Sequence, residues 1–260
     1  MAKKEKSEYI IQAVSHALDL LEQFHDDVDE LGVTELSKRL KLHKNNVFRL
    51  LATLESRGYI EQNKATENYR LGLKSLELGQ TFIKQMGLLR QAKPTLEKMV
   101  ADCNETCYVA IFKEGHAVYL DMEETDMTVR VVSRVGSRLP SYCTAAGKIH
   151  LAYMSGDEIN EILPNEELQA YSDTTITTRK ALKEELQQIA EQGYAIDREE
   201  LDLGVNCVAA PIRDYTRRIV GSISVSGPTM RLGEERIINE LVPLVLQASE
   251  ELSTRLGYHN

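Results

Sequence analysis

Over residues 8–71 the spacing of apolar residues changes in a fixed order, and this order constrains the fold more than any other feature. Ile10, Val14, Ala17, Leu18, Leu21 and Phe24 recur at helical spacing, which predicts an amphipathic helix over 8–24. The acidic stretch 26–30 ends it. Thr34 is placed to cap a second, short helix, with Glu35 in its first turn, where negative charge suits the helix dipole. Leu36 and Leu40 form its apolar edge, and Leu42-His43 makes a short turn. A third helix then buries Val47, Leu50, Leu51 and Leu54 at i, i+3, i+4 and i+7, and Gly58 stands where a helix C-terminal glycine belongs. Two short strands, 59–62 and 68–71, flank a polar turn. Helix, short turn, helix and hairpin in succession predict a winged helix-turn-helix.

The charge pattern sharpens this. The 260-residue chain carries a net charge of -9, which taken whole argues against nucleic acid. The deficit is uneven. Residues 38–74 hold nine Lys+Arg and three Asp+Glu, net +6, whereas residues 1–37 are net -6 and residues 89–260 are net -9. Fields act over about a Debye length, ~8–10 Å, so a partner meeting only 38–74 meets a cation. The third helix presents Asn45, Asn46, Arg49 and Thr53 on its outer side. Asn reads adenine edges, Arg reads guanine or holds phosphate, and Thr does either weakly. Lys44 on that helix, with Lys64 and Arg70 on the hairpin, completes the expected DNA-binding set. The competing reading is a helical module that binds a protein partner.

From about residue 88 the pattern changes. Leu73, Leu76, Leu78, Phe82, Ile83 and Met86 make 73–87 an amphipathic connector, weakened by Gly79 and Gly87. A helix over 88–103 contains Pro94, which predicts a kink or a late start. Strands 106–113, 116–123 and 128–133 read as a meander. Helices are expected from Ala145, over 156–163 and over 178–192, with Gly193 as a stop. Strands 194–197, 205–212 and 219–226 precede a final helix, 234–256, bent by Pro243. This order predicts an α+β domain: an antiparallel sheet packed by helices.

The remaining signals are negative. With 42% hydrophobic and 27% charged residues of mixed sign, the chain can bury a core. No apolar run approaches the ~20 residues of a membrane span, no signal peptide is evident, and four cysteines are few; a cytoplasmic protein with reduced thiols is the expectation. Cys143 or Cys207 with His150 could form a nucleophile and base, but no glycine elbow or third residue supports catalysis, and no enzyme is expected. Cys103-x3-Cys107 with His116 lacks a second close ligand pair, so no metal or other cofactor is expected.

Several blocks resemble the IclR family of bacterial transcriptional regulators. In the first part they are Arg49-Leu-Leu-Ala-Thr-Leu-Glu-Ser-Arg-Gly-Tyr59 and Tyr69-Arg-Leu-Gly72. In the second they are Val135-Gly-Ser-Arg-Leu-Pro140, Cys143-Thr-Ala-Ala-Gly-Lys148, Gly193-Tyr-Ala-Ile-Asp197, Glu199-Glu200, Gly204-Val-Asn-Cys-Val-Ala-Ala-Pro-Ile212 and Ile223-Ser-Val-Ser-Gly-Pro228. The resemblance covers about residues 8–257. It implies a winged-helix domain over 8–72, a linker helix over 73–88 and a GAF-like effector domain over 89–258. It further implies homodimers or homotetramers on double-stranded operator DNA, with a small organic acid as effector. One departure is His43-Lys44-Asn45-Asn46, where many members have Pro-Lys-Ser-Thr.

By position, the resemblance assigns effector contacts to the backbone amides of Ala145 and Ala146 at a helix N-terminus, to polar Asp197 and Cys207, and to apolar Leu139 and Val205. Ser224 and Ser226 alternate along one strand and face one side, where two hydroxyls can hold a carboxylate. On spacing alone they also read as a polar sheet face, Cys207 as a buried structural thiol, and Asp197 as part of a surface turn. Asp197 beside a bound anion would need a proton or a bridging group.

Overall fold

The computed structural model describes residues 10–24, 28–85 and 87–259, without the side chains of 80 and 82–85. The chain divides into two compact units, Met1–Gln85 and Met86–Asn260.

The first unit is a winged helix. Helices α1 (Gln12–Leu21), α2 (Val33–Leu40) and α3 (Lys44–Ser56) precede a hairpin of β1 (Ile60–Gln62) and β2 (Tyr69–Leu71), then α4 (Leu73–Gln85). Leu20, Leu36, Val47, Leu51 and Ile60 are all but inaccessible and form its core. Gly58 closes α3 at φ +77°, and a Cβ on Gly72 would lie 2.4 Å from the Gly58 carbonyl oxygen. Both glycines are therefore required where α3, the wing and α4 converge.

Three expectations need correction here. Thr34 does not cap α2. Leu31 bridges Tyr69 in antiparallel fashion, which pins the chain to the wing, so α2 starts straight after Gly32. The first helix is shorter than expected, and residues 8 and 9 lie outside the described residues. Of the stretch 26–30, expected to end it, residues 26 and 27 also lie outside the described residues. The α1 stripe is only partly internal: Phe24 is buried, but Ile10, Val14 and Leu18 are exposed. Of the expected 73–88 linker, residues 73–85 and 87–88 are helical. α4 ends at Gln85 and α5 begins at Gly87; Met86 and the side chains of Phe82 and Ile83 lie outside what is described.

The second unit is a six-stranded antiparallel sheet in the order β5-β4-β3-β8-β7-β6. Its strands are β3 (Thr106–Lys113), β4 (His116–Glu123), β5 (Arg138–Pro140), β6 (Ala195–Arg198), β7 (Val205–Arg213) and β8 (Ile219–Pro228). The helices are α5 (Gly87–Cys103), α6 (Ala145–Ala152), α7 (Gly156–Ile162), α8 (Arg179–Gln192), the single turn α9 (Glu234–Arg236) and α10 (Val242–Arg255). Side chains alternate across the sheet. Val109, Val208, Ala210, Ile212, Ile223 and Val225 face α5 and α10 and make the main core. The opposite face carries Tyr108, Ala110, Cys207, Ala209 and Ser224 and is covered by α6.

The strand expected at 128–133 does not form. Val129 and Val132 are exposed and only Val131 is buried, so the β-branched run has no face to pack. The edge of β4 is taken instead by β5, with Ala117 opposite Leu139, and by Gly136 donating to the Tyr119 carbonyl at 2.8 Å. α5 runs through Pro94. The Pro243 constraint is met by a π-helical turn, Ile237–Leu241, just ahead of α10. A wider turn relieves the clash of the proline ring with the carbonyl one turn back.

Candidate functional site

The first site is the outer face of α3 and the wing. Because Val47, Leu51 and Leu54 turn inward, Lys44, Asn45, Asn46, Arg49 and Thr53 must lie on the solvent side, and all five are exposed. The side chains of Lys44, Asn45, Asn46 and Arg49 make no hydrogen bond among the described residues, so their donors are available. Thr53 donates its hydroxyl to the Arg49 carbonyl at 2.8 Å, leaving lone pairs only. Lys64 is exposed on the wing, whereas Arg70 is tied to Glu61 at 2.7 Å. Sequence reasoning missed Phe48, 57% exposed between Asn46 and Arg49. An aromatic at an outward helical position was the available signal.

The second site is the face of the large sheet under α6. In register, Tyr108 stands opposite Ser224, Ser224 opposite Ala209, Ser226 opposite Cys207, and Cys207 opposite Asp197. One row of alternate residues thus collects the expected Asp197, Cys207, Ser224 and Ser226. Ser226 donates to the Cys207 sulfur at 3.0 Å. Val205 lies half-buried at the start of β7, on the Cys207 side by alternation, and Leu139 packs on the Tyr108–Ala117–Tyr119–Ala146 cluster.

α6 brings the amides. Thr144 caps it by accepting from the Gly147 N–H at 3.2 Å. The first-turn amides of Ala145 and Ala146 have no partner within the helix and lie at a positive dipole end. A Cβ on Gly147 would meet the Ser141 Cα at 2.3 Å, so only glycine lets α6 sit on the 3-10 turn Ser141–Cys143.

Lys148, fully buried, roots the other side of α6. Its ammonium donates to Glu200 at 2.5 Å, to the Ile196 carbonyl at 2.7 Å and to Glu185 at 3.1 Å. Beside it, Asp197 accepts from the Glu200 N–H at 2.8 Å. Burial, reinforced by the Glu200 charge, pushes the Asp197 carboxyl up to about 7. The proton that an anion beside Asp197 would require is therefore accessible near neutral pH.

Sequence reasoning missed Tyr108 and Tyr119, stacked edge to face with centroids 5.4 Å apart, as well as Lys148 and Arg134. For Lys148 a signal existed: a lone charge in the apolar run of α6. A separate groove of ≈690 Å³ between α6, α7 and α8 is lined by Leu151, Met154, Ile159, Leu182 and Leu186, and by none of the eight expected effector residues.

Burial raises the pKa of the Cys143 and Cys207 thiols, and it drives the His150 imidazole down to about 4. These are conditions for a neutral thiol and a neutral imidazole. Cys103 and Cys107 are buried, with sulfurs 4.0 Å apart. His116 pairs with Lys113 at the other end of β3, about 20 Å along the strand at ~3.3 Å per residue.

A winged helix followed by an antiparallel-sheet unit with a polar, helix-capped face defines a two-unit transcriptional regulator. Residues 13–64 match the IclR helix-turn-helix domain, and residues 80–254 match the bacterial transcriptional regulator IclR C-terminal domain. The chain belongs to the IclR family. It is 36% identical to the HTH-type transcriptional regulator KdgR of Escherichia coli over 89% of this chain and 88% of that protein. It is 35% identical to XynR of the same organism over 96% and 98%. The structure of Thermotoga maritima IclR superposes with a TM-score of 0.78 at 29% identity, covering 95% of this chain and 99% of that one. These relatives are DNA-binding regulators rather than enzymes, and no helix among the described residues is long and apolar enough to cross a membrane.

Proposed function

We propose that this regulator binds a specific operator through α3 and the wing, and that a small organic acid held under α6 changes that binding. The reader would span 8–72, the connector 73–88 and the sensor 89–258. The observation that carries the reading is the α3 face. Lys44, Asn45, Asn46 and Arg49 are exposed and unengaged within residues 38–74, a segment of net charge +6. Asn45, Asn46 and Arg49 supply base-reading and phosphate chemistry; Lys44 and Lys64 supply phosphate contacts; Thr53 and Arg70 are supporting positions. For the effector, the Ala145 and Ala146 amides and the Ser224 and Ser226 hydroxyls offer donors, Cys207 and Asp197 add polar contact, and Leu139 and Val205 close the apolar sides.

Exposed apolar side chains just before α1 (Ile10, Ile11), on α1 (Val14, Leu18) and on α4 (Leu73, Leu76, Leu78) support a homodimer or a homotetramer. A pseudo-palindromic operator would follow from such symmetry. The protein would act in the cytoplasm, where its DNA is.

The test is retention of the full chain on its own promoter DNA over competitor DNA, lost steeply with rising salt. A thermal-shift screen with small organic acids tests the sensor. An acid at 100 times its Kd adds about 2.7 kcal/mol of stability. Equal retention on promoter and competitor DNA overturns the operator reading and favours a protein partner.

A further inference from the structure

The segment between β4 and β5 lies over the sensor face as a strap. The Tyr108 hydroxyl donates to the Val132 carbonyl at 3.2 Å, and the Tyr119 N–H to the Ser137 carbonyl at 3.2 Å. The strap carries two arginines with different fates. Arg130 stays outside, 41% exposed, 3.7 Å from the equally exposed Glu124. Arg134 turns inward, 18% exposed, and pairs with Asp202 on the loop before β7. Burial raises the pKa of Tyr108, Tyr119 and Cys207, and the Arg134 charge partly opposes that rise at each. The guanidinium is therefore within electrostatic reach of three residues of the sensor face.

An anion entering this face needs a counter-charge. Asp197 and Glu200 present carboxylates, and Lys148 is already saturated by Glu185, Glu200 and the Ile196 carbonyl. Arg134 is differently placed. Its present partner, Asp202, is 44% exposed and is readily rehydrated once released. A half-buried guanidinium that loses its partner is costly, so release is favourable only when another anion replaces it.

We propose that Arg134 is an effector-binding residue: it exchanges Asp202 for the carboxylate of the incoming acid and supplies the charge that selects an anion. This rests on the sensor reading above. Asp202 is then a competitor of the effector, an internal mimic of its carboxylate.

The experiment uses the full chain in four forms: wild type, Arg134→Gln, Asp202→Asn, and Ser224→Ala with Ser226→Ala. Calorimetric affinities are measured for sodium pyruvate, succinate, gluconate and benzoate, and the melting temperature of each form confirms folding. For the acid that binds, Arg134→Gln is expected to weaken affinity about ten-fold or more, the loss of a charge-assisted pair. Asp202→Asn is expected to tighten it about three-fold or more, because the competitor is neutralised while its shape is kept. The opposite signs are decisive. If both substitutions weaken binding, the pair is a structural latch and the proposal falls. If the double serine variant loses binding and Arg134→Gln does not, Arg134 is excluded while the sensor reading stands. If the double serine variant binds normally, the sensor reading itself fails. If none of the acids binds wild type, both fail together.

Discussion

Lys148→Met is the most informative single change, because it removes the buried charge that two carboxylates share. Lys148 is 0% exposed and Glu200 8% by side chain, with 2.5 Å between them, whereas Glu185 is 28% exposed. Methionine matches the length of the stem, so packing changes little. Breaking a buried pair on one side costs about 3–5 kcal/mol. Two features place the loss toward the lower end. Glu185 can rehydrate, and Glu200, whose pKa burial already raises, can take up a proton. A loss of about 3 kcal/mol corresponds to roughly 6–12 °C for a unit of this size. Thermal denaturation of the full chain, followed through the transition of the second unit, reads it directly. Adding Glu200→Gln removes the stranded charge and should recover part of the loss, and lowering the pH should do the same to the single variant. A fall below about 2 °C, or a double variant less stable than Lys148→Met alone, would refute the argument.

Three further outcomes are expected. Arg49→Ala should weaken operator binding and reduce the salt slope by about one, as measured by titration at several salt concentrations; an unchanged slope removes Arg49 from the phosphate contacts. Asp197 has a folded pKa of about 7 against an ordinary 3.8, so the folded state binds the extra proton between these values. Stability contributed by this group is therefore present at low pH and lost as pH rises toward 7; Asp197→Asn should flatten that decline in urea melts at pH 5 and 8. Gly147→Ala should destabilise the second unit by at least ~2 kcal/mol, since its Cβ meets Ser141 backbone rather than a movable side chain; denaturant melts check this.

Much of the fold is legible locally. Helix-spaced leucines and a glycine stop place α3, and two runs on either side of the Glu114-Gly115 turn place β3 and β4, because these signals depend only on near neighbours. The strand expected at 128–133 was misread because its valines carry strand propensity without a face to pack, while three residues of β5 take the edge. Propensity cannot report which segment reaches that edge first. The effector row was legible only through resemblance. Tyr108, Ser224, Ala209, Cys207 and Asp197 meet through strand register, a long-range property. Arg134 was invisible for the same reason: nothing near it in sequence distinguishes it from Arg130, and only the fold turns one inward.

The outermost strands of the large sheet are also its shortest. β5 has three residues and β6 four, whereas β3, β7 and β8 between them have eight, nine and ten. Few unpaired backbone amides and carbonyls are therefore offered at either rim. Such blunt rims give a second chain little to hydrogen-bond to, which guards against open-ended strand addition and aggregation. In the homodimer or homotetramer proposed above, copies would instead join through side-chain surfaces. That kind of contact closes on a defined number of subunits and can be tuned residue by residue.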